Sequence, residues 1–519
     1  MTGRLPAIAI AFGAATAMFA LPIYVQLHRS PGLVEQLRLI AISQLVPTLA
    51  FLGLAWVVAR IGTSSGWVRA YWSVLTLTAL WSIARLLQVR ILPEFLLNTG
   101  VDLRGTDQPL WLELIVGGIV IVGSALLARR FAFSQFLVPL APVFVLVTAY
   151  VAFISMSEAP AALAAESLMP SAVRSDALFV LVFDELGYDV LLKDGEIDGN
   201  RFPNFRGLAN DSLWFTNATS NYRETCESIP SVLVGKFVTK DQCRNFVVKD
   251  DPGSLLATIR PQFRVRVYGE ALLDCKIPAE GCHGIPYLLA LRPDLALGNH
   301  FVPKFARIGA VGDWLGISTG IYTFETWRDF LGDVTPQETP GTAYFVHLLL
   351  PHQPLVYDAS GRQTGSPYRA FTGEAENDSR AYDNYREQTA FVDHMLGEFV
   401  ARLKAAGMYE RSTIAITGDH GPRVPTKLAD GTELKGIAAL TPYVPLILHA
   451  PGLTPSRTNV DYQHIDFTPT LLDVLKIPSA ISYDGRSALQ LGAARTKVFH
   501  WGAYAYELKD GKWVDHDGP

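Results

Sequence analysis

Residues 177–185 read ALFVLVFDE, a continuous apolar run closed by two carboxylates. A run of that kind suits a strand buried on both faces of a parallel sheet, where neither face meets water. Acids at its end lie where α/β folds place their sites, beyond the carboxyl ends of the strands. Comparable runs follow: FRVRVYG (263–269), TAYFVHLLL (342–350), STIAIT (412–417), VPLILH (444–449) and KVFHWG (497–502). Helical patterns separate them. The clearest is NYREQTAFVDHMLGEFVARLKAAG (384–407), with Phe391, Met395, Phe399 and Leu403 on one face and Gly407 as a stop signal. Strands alternating with helices predict an α/β domain with a mainly parallel central sheet flanked by helices.

Upstream the composition changes. The chain has 519 residues and is 49% hydrophobic, too apolar for a single soluble globule. The excess sits in the first third, in runs near Ala7–Val25, Leu39–Val58, Val68–Leu87, Leu110–Leu127 and Phe136–Ile154. Each approaches the roughly 20 residues a helix needs to cross hydrocarbon. The expected organisation is five transmembrane helices (1–156), an Ala/Pro/Ser-rich linker (157–175), a catalytic domain (176–491) and a C-terminal strand and tail (492–519). A cleaved signal peptide is the alternative for the first run, disfavoured by its length and by the four runs that follow. With the N-terminus inside, arginines 4, 60, 69, 129 and 130 face the cytoplasm and 29, 38, 90 and 104 face outward, a thin positive-inside bias. An odd number of spans then puts the large domain on the periplasmic or extracellular side of a multi-pass inner or plasma membrane protein.

All four cysteines (Cys226, Cys243, Cys275 and Cys282) fall in that domain. Cys275 and Cys282 read as a short disulfide loop in an oxidising compartment, with Cys226–Cys243 the remaining pairing. Buried free thiols are the alternative. A net charge of −5 with no basic stripe gives nucleic-acid binding no support. Nothing in the sequence sets the oligomeric state.

Three strand ends carry chemistry. LVFDELG (181–187) presents Asp184 and Glu185, AITGDHG (415–421) presents Asp419 and His420, and FVHLLLPHQP (345–354) presents His347 and His352. Oxygen and nitrogen donors on a rigid frame suit a divalent cation, which acts as a Lewis acid on an ester oxygen.

From Ala177 to Leu491 the chain resembles the sulfatase-like enzymes of the alkaline phosphatase superfamily. LVFDELGYD (181–189) resembles their first metal motif, and residues 385–421 resemble their long helix, strand and second metal motif. VPLILHAPG (444–452), HIDFTPTLLDVLKIP (464–478) and DGRS (484–487) are similar to their C-terminal signature. Spans before an external domain resemble the phosphoethanolamine transferases and lipoteichoic acid synthases. The resemblance implies Asp419 and His420 as metal ligands with Glu185, favoured over Asp184, from the first strand. It implies His352 as an anion-binding histidine. His347 matches a second histidine of the transferases, or is a strand residue facing a helix. Lys435 falls where sulfatases place an anion-binding lysine, or is an exposed lysine. One divalent metal is implied, zinc or manganese by the donor set, with magnesium or calcium as alternatives. The implied partners are a membrane lipid or envelope glycan substrate and the bilayer.

NYRETCESIPSVLVG (221–235) holds three candidate nucleophiles: Thr225, Cys226 and Ser228. Common sulfatases have Cys-x-Pro-x-Arg, whose cysteine becomes formylglycine. Here Cys226 lacks the proline in register, and Ser228 has Val232 at the arginine position. The transferases have Thr-x-x-Ser-x-Pro, which TCESIP matches at Thr225, Ser228 and Pro230. Pro230 and the apolar residues after it predict a helix with proline in its first turn. Free N–H groups there favour an anion, and a metal can activate the hydroxyl; the bland role for Thr225 is an N-cap. The expected activity is phosphoryl transfer or hydrolysis of a phosphodiester through Thr225, with sulfuric ester hydrolysis or a non-catalytic envelope role as alternatives.

Overall fold

The computed structural model describes residues 46–61, 175–240, 251–269, 281–283, 323–362, 375–422, 442–490, 495–501, 504–509 and 512–515, with isolated positions elsewhere. The chain divides into two compact units: Met1–Ala162 with Pro286–Gly320, and Leu163–Ile285 with Ile321–Pro519.

In the first unit the described element is helix α1, Val46–Ile61, within and just beyond the second apolar run. Leu49, Leu54 and Trp56 are exposed on it. Among the described residues no helix is long and apolar enough to cross a membrane. The other four expected spans and the linker lie largely outside the described residues.

The second unit is built on strand β1, Ala177–Phe183, all seven residues buried. Its neighbours are β5 (Thr342–Leu348) and β6 (Ser412–Gly418), both parallel to it. With β2 (Leu213–Phe215), β3 (Arg264–Gly269), β4 (Gly281–His283), β7 (Leu446–His449) and β8 (Ser456–Thr458) they form an eight-stranded sheet of order β8-β2-β7-β6-β1-β5-β3-β4. Pairs β1–β5, β1–β6, β3–β5, β3–β4 and β2–β8 are parallel.

Alternate residues of β1 enter two different apolar layers, as period-2 side chains must. Ala177, Phe179, Leu181 and Phe183 join one layer with α2 (Pro203–Asn210), α4 (Thr323–Asp333) and α5 (Ala375–Ala405). Leu178, Val180 and Val182 join the other with α3 (Thr225–Val234) and α6 (Phe467–Val474). Phe179 shows how tightly the first layer is filled: its ring stacks on Tyr344 at 4.9 Å and meets Phe399 edge-on at 5.0 Å. Each such fully buried ring stabilises the domain by about 1.5–3 kcal/mol. The predicted stripe Phe391, Met395, Phe399 and Leu403 is the buried face of α5, and Gly407 ends the turn after it with φ +66°.

Two expectations about direction change. Strand β7 runs antiparallel to β6, and β2 antiparallel to β7. KVFHWG forms β9 (Val498–Trp501), outside the main sheet, pairing antiparallel with β10 (Tyr504–Lys509), which pairs with β11 (Lys512–Asp515). An apolar run signals burial and is silent on strand direction. In β9 only Phe499 is fully buried, as expected where one face meets water.

Candidate metal and nucleophile site

Register brings the site together. Phe183 lies opposite Leu348 on one side and Gly418 on the other, so β1, β5 and β6 end at one level. Asp184 therefore emerges beside Asp419 and His420, while His347, paired with Val182, sits one step inside the sheet. Asp184, Asp419 and His420 each offer one ligand atom, all within 4.8 Å of one another, and all three are buried.

Local packing holds these groups tightly. The backbone N–H groups of Glu185 and His420 both donate to Asp419 Oδ1, at 2.9 and 2.7 Å. Gly418 must be glycine because a Cβ there would lie 2.2 Å from the Leu186 carbonyl oxygen. Glu185 adopts φ +59°, a left-handed conformation that costs a non-glycine residue about 1–3 kcal/mol. His420 Nδ1 faces the Gly421 carbonyl at 2.9 Å and donates to it, which turns the Nε2 lone pair toward the site.

The fit to a cation is tested by what remains. Asp419 Oδ2 and both ring nitrogens of His347 are buried and make no hydrogen bond among the described residues. Native proteins rarely leave such groups unmatched. Two carboxylates and an imidazole with ligand atoms this close are a donor set that could hold a divalent cation. The three-residue cluster takes Asp184 from the first strand. Glu185, fully buried, instead places its carboxylate 3.6 Å from His352 Nε2. His347 Nε2 lies 3.7 Å from Asp184 Oδ2. Burial lowers the His347 pKa to about 4, against the opposing pull of Asp419, so its imidazole is neutral near pH 7. His352 is the partly exposed member, 30% accessible at its side chain. Lys435 lies outside the described residues.

Thr225 Oγ stands 3.4 Å from Asp184 Oδ2 and 3.4 Å from His420 Nε2. It is the first residue of α3, whose N-cap is Glu224. The N-cap reading of Thr225 therefore does not apply. Pro230 lies inside the helix rather than in its first turn, because the helix begins five residues earlier than the proline suggested. Ser228 is otherwise engaged: its hydroxyl donates to the Asp419 carbonyl at 2.5 Å and lies 3.3 Å from His464 Nδ1. Cys226 is disulfide-bonded, and among the described residues no cysteine is free. Buried free thiols are thus corrected for Cys226; Cys243 and Cys275 lie outside the described residues.

Sequence reasoning passed over Tyr385, Gln388 and His464, all buried beside the site. Tyr385 and Gln388 occupy the core-facing stripe of α5, and a polar residue in an apolar stripe was the available signal. His464 bridges Ser228 and Thr417, with Nε2 3.2 Å from the Thr417 hydroxyl.

Residues 322–477 match the family model described as Sulfatase. A 114-residue stretch is 29% identical to the lipoteichoic acid synthase-like YvgJ of Bacillus subtilis, covering 20% of this chain and 18% of the relative. A 184-residue stretch is 27% identical to arylsulfatase K of Danio rerio, covering 34% of this chain and 33% of the relative. The chain thus spans a third or less of these relatives. The solved lipoteichoic acid synthase LtaP from Listeria monocytogenes superposes with a TM-score of 0.44 at 16% identity, over 69% of this chain and 88% of that one. The family match thus assigns residues 322–477 to the Sulfatase family, and the shared stretches make this chain similar to lipoteichoic acid synthase-like and arylsulfatase relatives.

Proposed function

We propose that this chain is a membrane-anchored, metal-dependent phosphodiester transferase or hydrolase that acts on cell-envelope lipids or glycans through Thr225. The observation that carries the reading is the placement of Thr225 Oγ, 3.4 Å from both Asp184 Oδ2 and His420 Nε2, at the start of a helix. Its rivals are committed elsewhere, Ser228 to the Asp419 carbonyl and Cys226 to a disulfide. That disposition speaks against a formylglycine-type sulfatase.

Asp184, Asp419 and His420 would hold the cation, with Glu185 beside them as a further carboxylate. A bound zinc or manganese ion supplies Lewis-acid chemistry that lowers the pKa of a nearby hydroxyl and polarises an ester oxygen. Thr225 Oγ forms a bond to phosphorus as the ester oxygen of the leaving alcohol departs. Its proton has a carboxylate acceptor in Asp184 Oδ2. An envelope acceptor or water then displaces the threonine. His352 stabilises charge developing on the transferring group, and His347 and Lys435 are the remaining candidate anion contacts. The organisation proposed is a transmembrane region over 1–156, a linker over 157–175, a periplasmic or extracellular catalytic domain over 176–491 and a C-terminal segment over 492–519. The apolar runs of the first third support the anchor.

Incubation of the full chain with bis(4-nitrophenyl) phosphate or 4-nitrophenyl sulfate separates the ester classes. Mass spectrometry of the peptide containing Thr225 should find a phosphoryl adduct. Sulfate release with no adduct on Thr225 would replace this reading with a sulfatase.

A further inference from the structure

Helix α5 runs behind the site, and two of its buried polar side chains reach past the apolar core to two different site loops. The Tyr385 hydroxyl donates to the Glu185 carbonyl at 2.7 Å and accepts from the Gly187 N–H at 3.0 Å. It thereby pins both ends of the turn that follows Asp184, the turn in which Glu185 takes its left-handed conformation. Burial holds the Tyr385 phenol well above its usual range, so the proton it donates stays in place.

Gln388, one helical turn further on, uses its whole amide. Its Oε1 accepts from Val356 and Tyr357 N–H at 3.0 and 3.1 Å. Its Nε2 donates to the carbonyls of Pro351 and His352 at 3.0 and 2.9 Å. Residues three apart share a helix face, and this one is anchored below by buried Phe391, Met395 and Phe399. The metal-site turn and the His352 loop are thus both referenced to one rigid surface, rather than to each other.

We propose that Tyr385 and Gln388 are positioning residues, Tyr385 setting cation affinity through the Asp184–Gly187 turn and Gln388 setting the place of His352. This rests on the function proposed above. Neither residue touches the reacting atoms; each acts through the loop it holds.

The test uses the full chain in detergent, stripped of metal and titrated with Mn²⁺ or Zn²⁺ alone, with turnover of bis(4-nitrophenyl) phosphate measured at saturating cation. Tyr385→Phe should weaken cation binding by about tenfold or more, the effect usual for groups that orient metal ligands. Gln388→Glu keeps the shape and the two acceptor contacts but loses both donated bonds. It should leave cation affinity within about twofold and lower kcat/KM about tenfold, as loss of an oriented transition-state contact does. Thr389, whose hydroxyl donates to the Tyr385 carbonyl at 2.8 Å and to neither loop, is the control. Thr389→Val should lower thermal stability and leave cation affinity and turnover within about twofold. If Tyr385→Phe and Gln388→Glu lose both properties in parallel with thermal stability, the two residues are merely structural and the inference falls alone. If the unmutated chain neither binds the cation nor turns over the diester, the proposed function falls and takes the inference with it.

Discussion

Two buried polar clusters of the second unit are built on opposite principles. Around Asp466 the polar groups are matched: its carboxylate accepts from the N–H groups of Gln463 and Arg486, each at 2.9 Å, and from the Arg495 guanidinium. Gln463 in turn binds Asn221 at 2.6 Å and the Val498 N–H at 3.0 Å, tying the C-terminal sheet to the segment that leads into Thr225. At the Asp184–Asp419–His420 cluster, Asp419 Oδ2 and both nitrogens of His347 are buried without hydrogen bonds among the described residues. A matched buried network holds structure together. Buried polar atoms left without such partners, beside three groups that could hold a metal ion, are what a ligand would satisfy.

The comparison breaks most sharply at Thr225. Thr225→Ala should cut turnover by at least about 10³-fold, the scale of losing a nucleophile, with cation binding and melting temperature unchanged. Thr225→Ser should restore part of the activity. Turnover that survives in Thr225→Ala and disappears in Ser228→Ala would reverse the assignment.

Asp466→Ala should behave in the opposite sense. Removing one partner of a buried ion pair costs about 3–5 kcal/mol, so urea unfolding should shift while the residual folded protein still binds cation. Asp419→Ala should instead abolish cation binding, and it should also lower metal-free stability, because the Glu185 and His420 N–H groups lose their buried acceptor. The metal-loaded unmutated chain should also melt higher than the stripped one, because a ligand bound only by the folded state stabilises it. If Asp419→Ala and Asp466→Ala lose stability equally and both retain cation, the two clusters do not differ in kind.

A smaller effect concerns pH. Burial, with a lesser contribution from His420, lowers the His464 pKa from 6.5 to about 3. The unfolded chain therefore binds a proton that the folded chain does not over that interval. Stability contributed by neutral His464 is present above about pH 6.5 and declines as pH falls toward 3. Melting curves of the metal-free protein from pH 7.5 to 4.5 should slope downward toward acid, and His464→Gln should flatten the slope.

The smallest effect is expected at Ser228→Ala, which should keep activity within about tenfold, since it removes contacts to the Asp419 carbonyl and to His464 and none to the Thr225 hydroxyl. A loss comparable to that in Thr225→Ala would show that these contacts govern the metal ligand's position.

The strand ALFVLVF, the apolar stripe of α5 and the acids and histidines at three strand ends are all legible in the sequence alone. Each depends on side-chain period and residue chemistry, which are properties of neighbouring positions in the chain. The candidate nucleophiles could be narrowed by spacing to Pro230. The cysteine count already allowed Cys226 a disulfide, whereas the hydrogen bonds that engage Ser228 could not be read from TCESIP.

The tertiary structure alone decided three things. It set which strands run antiparallel, because apolar runs record burial and not direction. It set which of the adjacent acids Asp184 and Glu185 joins Asp419 and His420, since successive residues beyond a strand end diverge by an amount that the turn geometry fixes. It also gave buried Tyr385 and Gln388 their partners, the Glu185 turn and the His352 loop, which lie 200 and 36 residues away in the chain. Hydrogen bonds across such separations depend on the packing of a helix against a sheet edge, and local sequence carries no record of that distance.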